Sequence, residues 1–130
     1  MQKFLTASLV VAGLTFTMSF NTAHANDSDA QLATSGHVSA LYQCDLGDKL
    51  TVYKNAADNS YVNLRWRNKM YRMNRQQTST GAERFENKSD GLVLISIPSK
   101  SMLFDSKKGR QLANECRNPE QSRRHLASSK

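Results

Sequence analysis

The chain has 130 residues, with 18 Lys or Arg against 11 Asp or Glu and a formal net charge of +7 at pH 7. This length allows one domain and excludes a multidomain architecture. The positive charge is compatible with anionic sugars, lipid head groups, nucleic acid or an acidic protein cleft, and does not choose among them.

Residues 1–25 have the pattern of a secretory signal peptide. Lys3 supplies a positive start, residues 4–20 are mostly apolar, and residues 23–25 (Ala-His-Ala) form a small-x-small cleavage site. Cleavage after Ala25 would leave a net charge of +6. No cysteine follows the cut to carry a lipid, and no later apolar stretch approaches the ~20 residues of a membrane helix. We expect an exported, soluble protein that does not span a membrane.

The rest of the chain divides into three parts by composition. Residues 26–36 are short and polar and predict a flexible leader. Residues 37–116 hold almost all the large apolar side chains and predict the folded domain. Residues 117–130 contain one Leu, no aromatic residue and several basic residues, which predicts a flexible basic tail.

The domain is predicted to consist of short strands. The turn-like segments between them occur about every ten residues, which is typical of a small antiparallel barrel or sandwich. In residues 61–67 the alternation places Val62, Leu64 and Trp66 on one face. The prediction is all-β. The strand candidates are residues 38–44, 50–53, 61–67, 70–73, 82–86, 92–97 and 101–104, with residues 110–116 of uncertain type.

Cys44 and Cys116 are the only cysteines. An even pair in an exported protein is most simply a disulfide, which would close nearly the whole domain and stabilise it by about 4 kcal/mol. The alternative, a reactive thiol, needs an electropositive or metal partner that the sequence does not provide.

The sequence does not predict an enzyme, a metal site or a cofactor. Only His37 and His125 remain after the signal, each in or beside a segment predicted to be flexible, so no tetrahedral zinc set is available. No Ser or Cys lies in a recognisable nucleophile motif. Asp45 and Asp48 are explained by a turn.

Basic and aromatic residues alternate from Arg65 to Arg75, as on a surface that binds single-stranded nucleic acid. However, strand alternation places Trp66 opposite Arg65 and Arg67, which favours a core Trp beneath a solvated basic face. Together with the predicted export, this disfavours nucleic acid as a partner.

Several short motifs follow one another along the domain. They are Tyr42-Gln43-Cys44, Leu50-Thr51-Val52-Tyr53, the Thr-Ser-Thr-Gly-Ala stretch at 78–82, Ser99-Lys100 and the closing Cys116. In order and spacing, these motifs resemble the MliC/PliC family of bacterial inhibitors of c-type (chicken-type) lysozyme. The resemblance covers about residues 42–116 and implies an eight-stranded antiparallel β-barrel, closed here by the one disulfide. The absence of a lipid-attachment cysteine makes the chain similar to the soluble periplasmic branch.

The resemblance also implies which residues bind lysozyme. In the family, a Ser-Gly-x-x-Tyr loop and a Lys on a later loop enter the lysozyme cleft and engage its catalytic carboxylates, which protects the bacterial cell wall. The Gly of this motif aligns with Gly81, which places Thr80 at the Ser position. Counting on from Gly81 places the Tyr position at Arg84, and the only aromatic residue nearby, Phe85, lies one residue later. The implied lysozyme-binding residues are Thr80, Gly81, Arg84, Phe85, Ser99 and Lys100.

Two further expectations concern charge. Many c-type lysozymes are themselves basic and would repel this chain at long range. We therefore expect either a binding end that is locally acidic through Glu83, Glu86 and Asp90, which lie close in sequence, or a less basic lysozyme as the target. The alternative function is a basic exported module that binds anionic glycan or lipid of the envelope. Its patch would be formed by Arg65, Arg67, Arg72 and Arg75.

Overall fold

The computed structural model describes residues 36–130, so the predicted signal peptide and all but the last residue of the predicted leader lie outside the described residues. Eight strands are followed by one helix. Their bounds are β1 His37–Gln43, β2 Lys49–Asn55, β3 Tyr61–Trp66, β4 Lys69–Gln76, β5 Glu83–Asn87, β6 Leu92–Ser96, β7 Ser101–Asp105, β8 Arg110–Cys116 and α1 Pro119–Ser128.

The eight strands form one antiparallel sheet in which each strand pairs with the next along the chain. Alternate connections therefore lie at the same end of the sheet. We call the end that carries residues 56–60, 77–82 and 97–100 the groove end. The opposite end, here the turn end, carries the other connections; one of them is the tight turn at Arg67 and Asn68, both of which have positive φ.

The sheet curls into a half-barrel whose two edge strands meet at one point. There the Gln43 N–H donates to the Arg117 carbonyl at 3.0 Å, and the Arg117 N–H donates to the Gln43 carbonyl at 2.8 Å. The Cys44–Cys116 disulfide lies beside this pair. The predicted all-β class, eight antiparallel strands and disulfide are thus confirmed. The sheet itself stays open, because in the described chain β1 and β8 share a single bridge instead of a ladder.

The concave face of the sheet holds the core. Val62, Leu64 and Trp66 are at most 4% exposed, and Arg65 on the other face is exposed, as the alternation predicts. Burying one face of each strand fixes the register, because a slip by one residue would turn the apolar side chains outward. The core also contains Tyr42, Leu50, Val52, Met73, Phe85, Leu92, Leu94, Leu103, Ala113 and Cys116.

Two segments differ from the sequence predictions. Strand β4 continues to Gln76 because residues 74–76 pair with β5, so the connection between the strand candidates 70–73 and 82–86 shortens to residues 77–82. The tail expected to be flexible contains α1. Asn118 accepts the Gln121 N–H at 2.9 Å while the Gln121 side chain accepts the Asn118 N–H at 3.3 Å, which is a capping box. No helix within residues 36–130 is long and apolar enough to cross a membrane.

Candidate lysozyme-binding loops

The loop at residues 77–82 presents Thr80 at the groove end. Thr80 and Gly81 are both exposed, and Gly81 has φ +75°, a conformation that costs glycine little. The loop is held by its own hydroxyls. The Thr78 hydroxyl donates to the Ala82 carbonyl at 2.6 Å, and the Thr80 hydroxyl accepts the Ala82 N–H at 3.5 Å.

The loop at residues 97–100 presents Lys100 at the same end. The turn is closed by the Ile97 N–H, which donates to the Lys100 carbonyl at 2.9 Å. The Lys100 ammonium forms an ion pair with the Glu115 carboxylate, and 29% of the Lys100 side chain stays exposed. No motif in the sequence indicated this pairing, which leaves the ammonium within reach of a second anion.

Glu115 reaches Lys100 because β8 contains a bulge. Ala113 and Cys116 are both buried although they are three residues apart, whereas residues three apart on a regular strand point to opposite faces. The β7–β8 register shifts by one residue there, and Glu115 has φ +52°. The hydrogen bond from Lys100, and after it the one from Arg117, holds the pKa of the Glu115 carboxyl below its ordinary value.

A groove joins the two loops. Its volume is ≈ 270 Å³, and its walls include Gly81 from one loop, Pro98 from the other, and Tyr42 from β1. The first turns of α1 form another wall. The buried side chain of Gln121 docks the helix there, because its amide donates to the Ile97 carbonyl at 2.8 Å. The loop at 97–100 is therefore fixed from α1 as well as from β8.

Next to the groove, a charged cluster lies at the mouth of the half-barrel. Glu83 accepts hydrogen bonds from Arg75 at 2.9 Å and from Lys54 at 3.1 Å. Burial raises the pKa of Glu83, but these two hydrogen bonds outweigh it, and the net effect is a pKa below the ordinary value. Lys54 and Glu83 also line the groove.

The two candidates for the family Tyr position lie on different faces of β5. Phe85 is 1% exposed and packs in the core. Its contact with lysozyme stays a prediction. Arg84 is half-buried on the outer face, where its Nε donates to Glu86 at 2.7 Å. Arg84 therefore lies on the face opposite to Glu83, which lines the groove.

The expected acidic end does not form. Glu83 lies at the mouth, Glu86 is on the outer face, and Asp90 is in the turn-end connection, where it pairs with Lys69 at 3.5 Å. These acids are neighbours in sequence, but β5 runs from one end of the sheet to the other and separates them.

The four arginines predicted to form the alternative basic patch do not lie on one surface. Arg65 and Arg72 are exposed on the outer face of β3 and β4, where the Arg72 guanidinium stacks on Tyr61 at 3.7 Å. Arg67 lies in the tight turn. Arg75 faces inward over Phe85 and binds Glu83 and the Asn59 carbonyl.

The family model of MliC, described as membrane-bound lysozyme-inhibitor of c-type lysozyme, matches residues 42–104. This matched segment is similar to the MliC family. It runs from β1 to β7 and includes both groove-end loops. Glu115, Arg117 and α1, which support the Lys100 loop, lie beyond it. Comparison with curated proteins and with solved structures found no match.

Proposed function

We propose that this protein inhibits c-type lysozyme by inserting its two groove-end loops into the active cleft. The match of residues 42–104 to the family model of c-type lysozyme inhibitors is the observation that carries the proposal, since the match includes both loops. The convergence of the loops on one groove supports it, because a cleft can only receive both if they project from the same end.

The chemistry of the loops suits the target. Lysozyme cleaves glycan with two carboxyl groups, one protonated and one ionised. The Lys100 ammonium would bind the ionised carboxylate. The Thr80 hydroxyl would donate to one of the two carboxyl groups, because it accepts the Ala82 N–H through a lone pair and not through its own hydrogen. A hydrogen bond to a charged group contributes about 1.5–3 kcal/mol.

The proposed place of action is the periplasm, after cleavage of the signal peptide at Ala25. The disulfide supports export, because such bonds form and persist in oxidising compartments. In that position the inhibitor would meet lysozyme before the enzyme reaches the cell wall.

A second candidate function is binding of anionic glycan or lipid. The observation that favours it is the placement of Arg65 and Arg72 together on an exposed face, although Arg75 is engaged elsewhere. Such binding would depend on these two arginines and weaken steeply with salt. Inhibition of lysozyme would depend on neither.

The test of the inhibitor proposal is a turbidity assay with c-type lysozyme and bacterial cell walls. We expect Lys100→Ala to raise the inhibition constant about 10- to 100-fold and Thr80→Ala to weaken inhibition, because each removes one contact in the cleft. Lys108→Ala removes an equal charge from the turn end and is the matched control. If Lys100→Ala inhibits as well as Lys108→Ala, the site is wrong. If the wild type inhibits no c-type lysozyme, the function is wrong.

A further inference from the structure

Lys100 is supported by residues that no motif in the sequence indicated. The Glu115 carboxylate binds the Lys100 ammonium with one oxygen and the Arg117 guanidinium with the other. Arg117 in turn donates from Nε to the Ser99 carbonyl at 3.1 Å. The Glu115 carboxylate thus links the Lys100 side chain to Arg117, which binds the backbone of the same loop.

The backbone of β8 is distorted where this carboxylate projects. A Glu at φ +52° is in a region that non-glycine residues rarely adopt, and such strain persists only where surrounding contacts fix it. The bulge lies directly before Cys116, and the disulfide and the Gln43–Arg117 bridge anchor the chain on its far side. The backbone of Glu115 is therefore restrained by the neighbouring disulfide and bridge.

The balance of charge keeps Lys100 attractive to an anion. Two cations share one carboxylate, so the cluster of Lys100, Arg117 and Glu115 carries a net charge of +1 at neutral pH. A lysine ammonium has three donor hydrogens, and Glu115 uses one of them. Ordering this long side chain before binding removes part of the entropy that association would otherwise cost.

We propose that Glu115 is a positioning residue, which holds the Lys100 ammonium and, through Arg117, the Ser99 backbone in the arrangement that binds lysozyme. This inference rests on the proposed function. It assigns the ordering of the inhibitory lysine to a residue of β8, outside the matched segment.

A double-mutant cycle tests the proposal. We expect Glu115→Gln to raise the inhibition constant about two- to tenfold, the cost of ordering one long side chain. In the Lys100→Ala background it should cost less than in the wild type, because only the link through Arg117 to the Ser99 backbone remains. Asp90→Asn breaks the carboxylate–lysine pair at the turn end and is the matched control.

A second measurement on the free protein needs no lysozyme. The side-chain order parameter of the Lys100 ammonium, measured by NMR, should fall in Glu115→Gln and stay unchanged in Asp90→Asn. An unchanged order parameter, unchanged inhibition by Glu115→Gln alone, or equal losses in both backgrounds would overturn the positioning role and leave the proposed function standing. If Lys100→Ala itself inhibits normally, the assignment of Lys100 to the site is wrong, and the positioning role of Glu115 is wrong with it. The proposed function would be wrong only if the wild type inhibited no c-type lysozyme.

Discussion

At the scale of single residues, the candidate site depends on side chains that are already paired within the protein. Lys100 has Glu115, and Glu83 has Arg75 and Lys54. These pairs order long side chains at the groove end, where disordered ones would lose more entropy on binding. Exposed ion pairs contribute little to stability, so their main effect is on geometry.

Gly81 gives a first prediction at this scale. A Cβ at this position would have no atom within 4 Å, so Gly81→Ala should lower the free energy of unfolding by about 1 kcal/mol through its φ of +75° alone. Urea unfolding measures this loss. Gly81→Asn is the control and should cost less, because Asn tolerates the left-handed region better. Equal losses for Ala and Asn would contradict the backbone explanation.

Glu83 predicts a dependence of stability on pH. Because the folded protein lowers its pKa, the ionised form is favoured in the folded state. The stabilisation is complete above the unfolded pKa, near 4.5, and is lost as the pH falls through the folded pKa. Glu83→Gln should therefore be less stable than the wild type at pH 7, and the difference in urea unfolding should shrink below pH 4.5. A difference that stays constant down to pH 3 would contradict this account.

At the scale of strands and helices, the alternation of apolar and polar residues predicted most of the sheet. It succeeded at Val62, Leu64 and Trp66 because one face of β3 is buried and the other is exposed. It could not predict the bulge at Glu115, which depends on the register between β7 and β8 and not on the local sequence. The partner of Lys100 was missed for that reason.

Helix α1 was missed for a different reason. The helix has no apolar stripe, since its one large apolar residue, Leu126, is 67% exposed. It is held by Gln121, which is buried and hydrogen-bonded to Ile97 and Ser101. The sequence did contain a signal for the start of this helix. Asn118 is a suitable N-cap, Pro119 suits the first helical position, and Gln121 completes a capping box with Asn118.

The N-cap gives a prediction for this element. Asn118→Ala removes the acceptor of the Gln121 N–H and should lower the free energy of unfolding by about 1 kcal/mol in urea. Hydrogen exchange of the Gln121 amide should speed up as the helix frays. Asn118→Asp keeps the acceptor and should retain most of the stability. If Ala and Asp behave alike, the cap does not support the helix.

At the scale of the whole molecule, the half-barrel depends on one point of closure. Within residues 36–130 the edge strands share only the Gln43–Arg117 bridge, and the disulfide lies beside it. The sequence predicted the disulfide from two cysteines in an exported chain. The sequence could not predict that the sheet stays open, because the number of strands does not determine whether the edge strands β1 and β8 pair with each other.

Removal of the disulfide should therefore destabilise the fold strongly. Cys44 and Cys116 are 72 residues apart, and restraint of a loop of that length in the unfolded chain is worth about 4 kcal/mol. The Cys44→Ala/Cys116→Ala variant should lose about this much in urea unfolding. The wild type under reducing conditions should lose a similar amount and serves as the comparison. If the variant and the reduced wild type each lost less than about 1 kcal/mol, the Gln43–Arg117 bridge and the core would be sufficient to hold the edge strands together without the disulfide.

The central claim is that the groove-end loops occupy the active cleft of lysozyme. The most direct test is calorimetric titration of c-type lysozyme with this protein, in the absence and presence of a saturating N-acetylglucosamine oligomer that fills the cleft. We expect the oligomer to weaken binding in proportion to its own occupancy of the cleft, because the two ligands would share one site. An affinity that the oligomer leaves unchanged would contradict the claim and place the inhibitor outside the cleft.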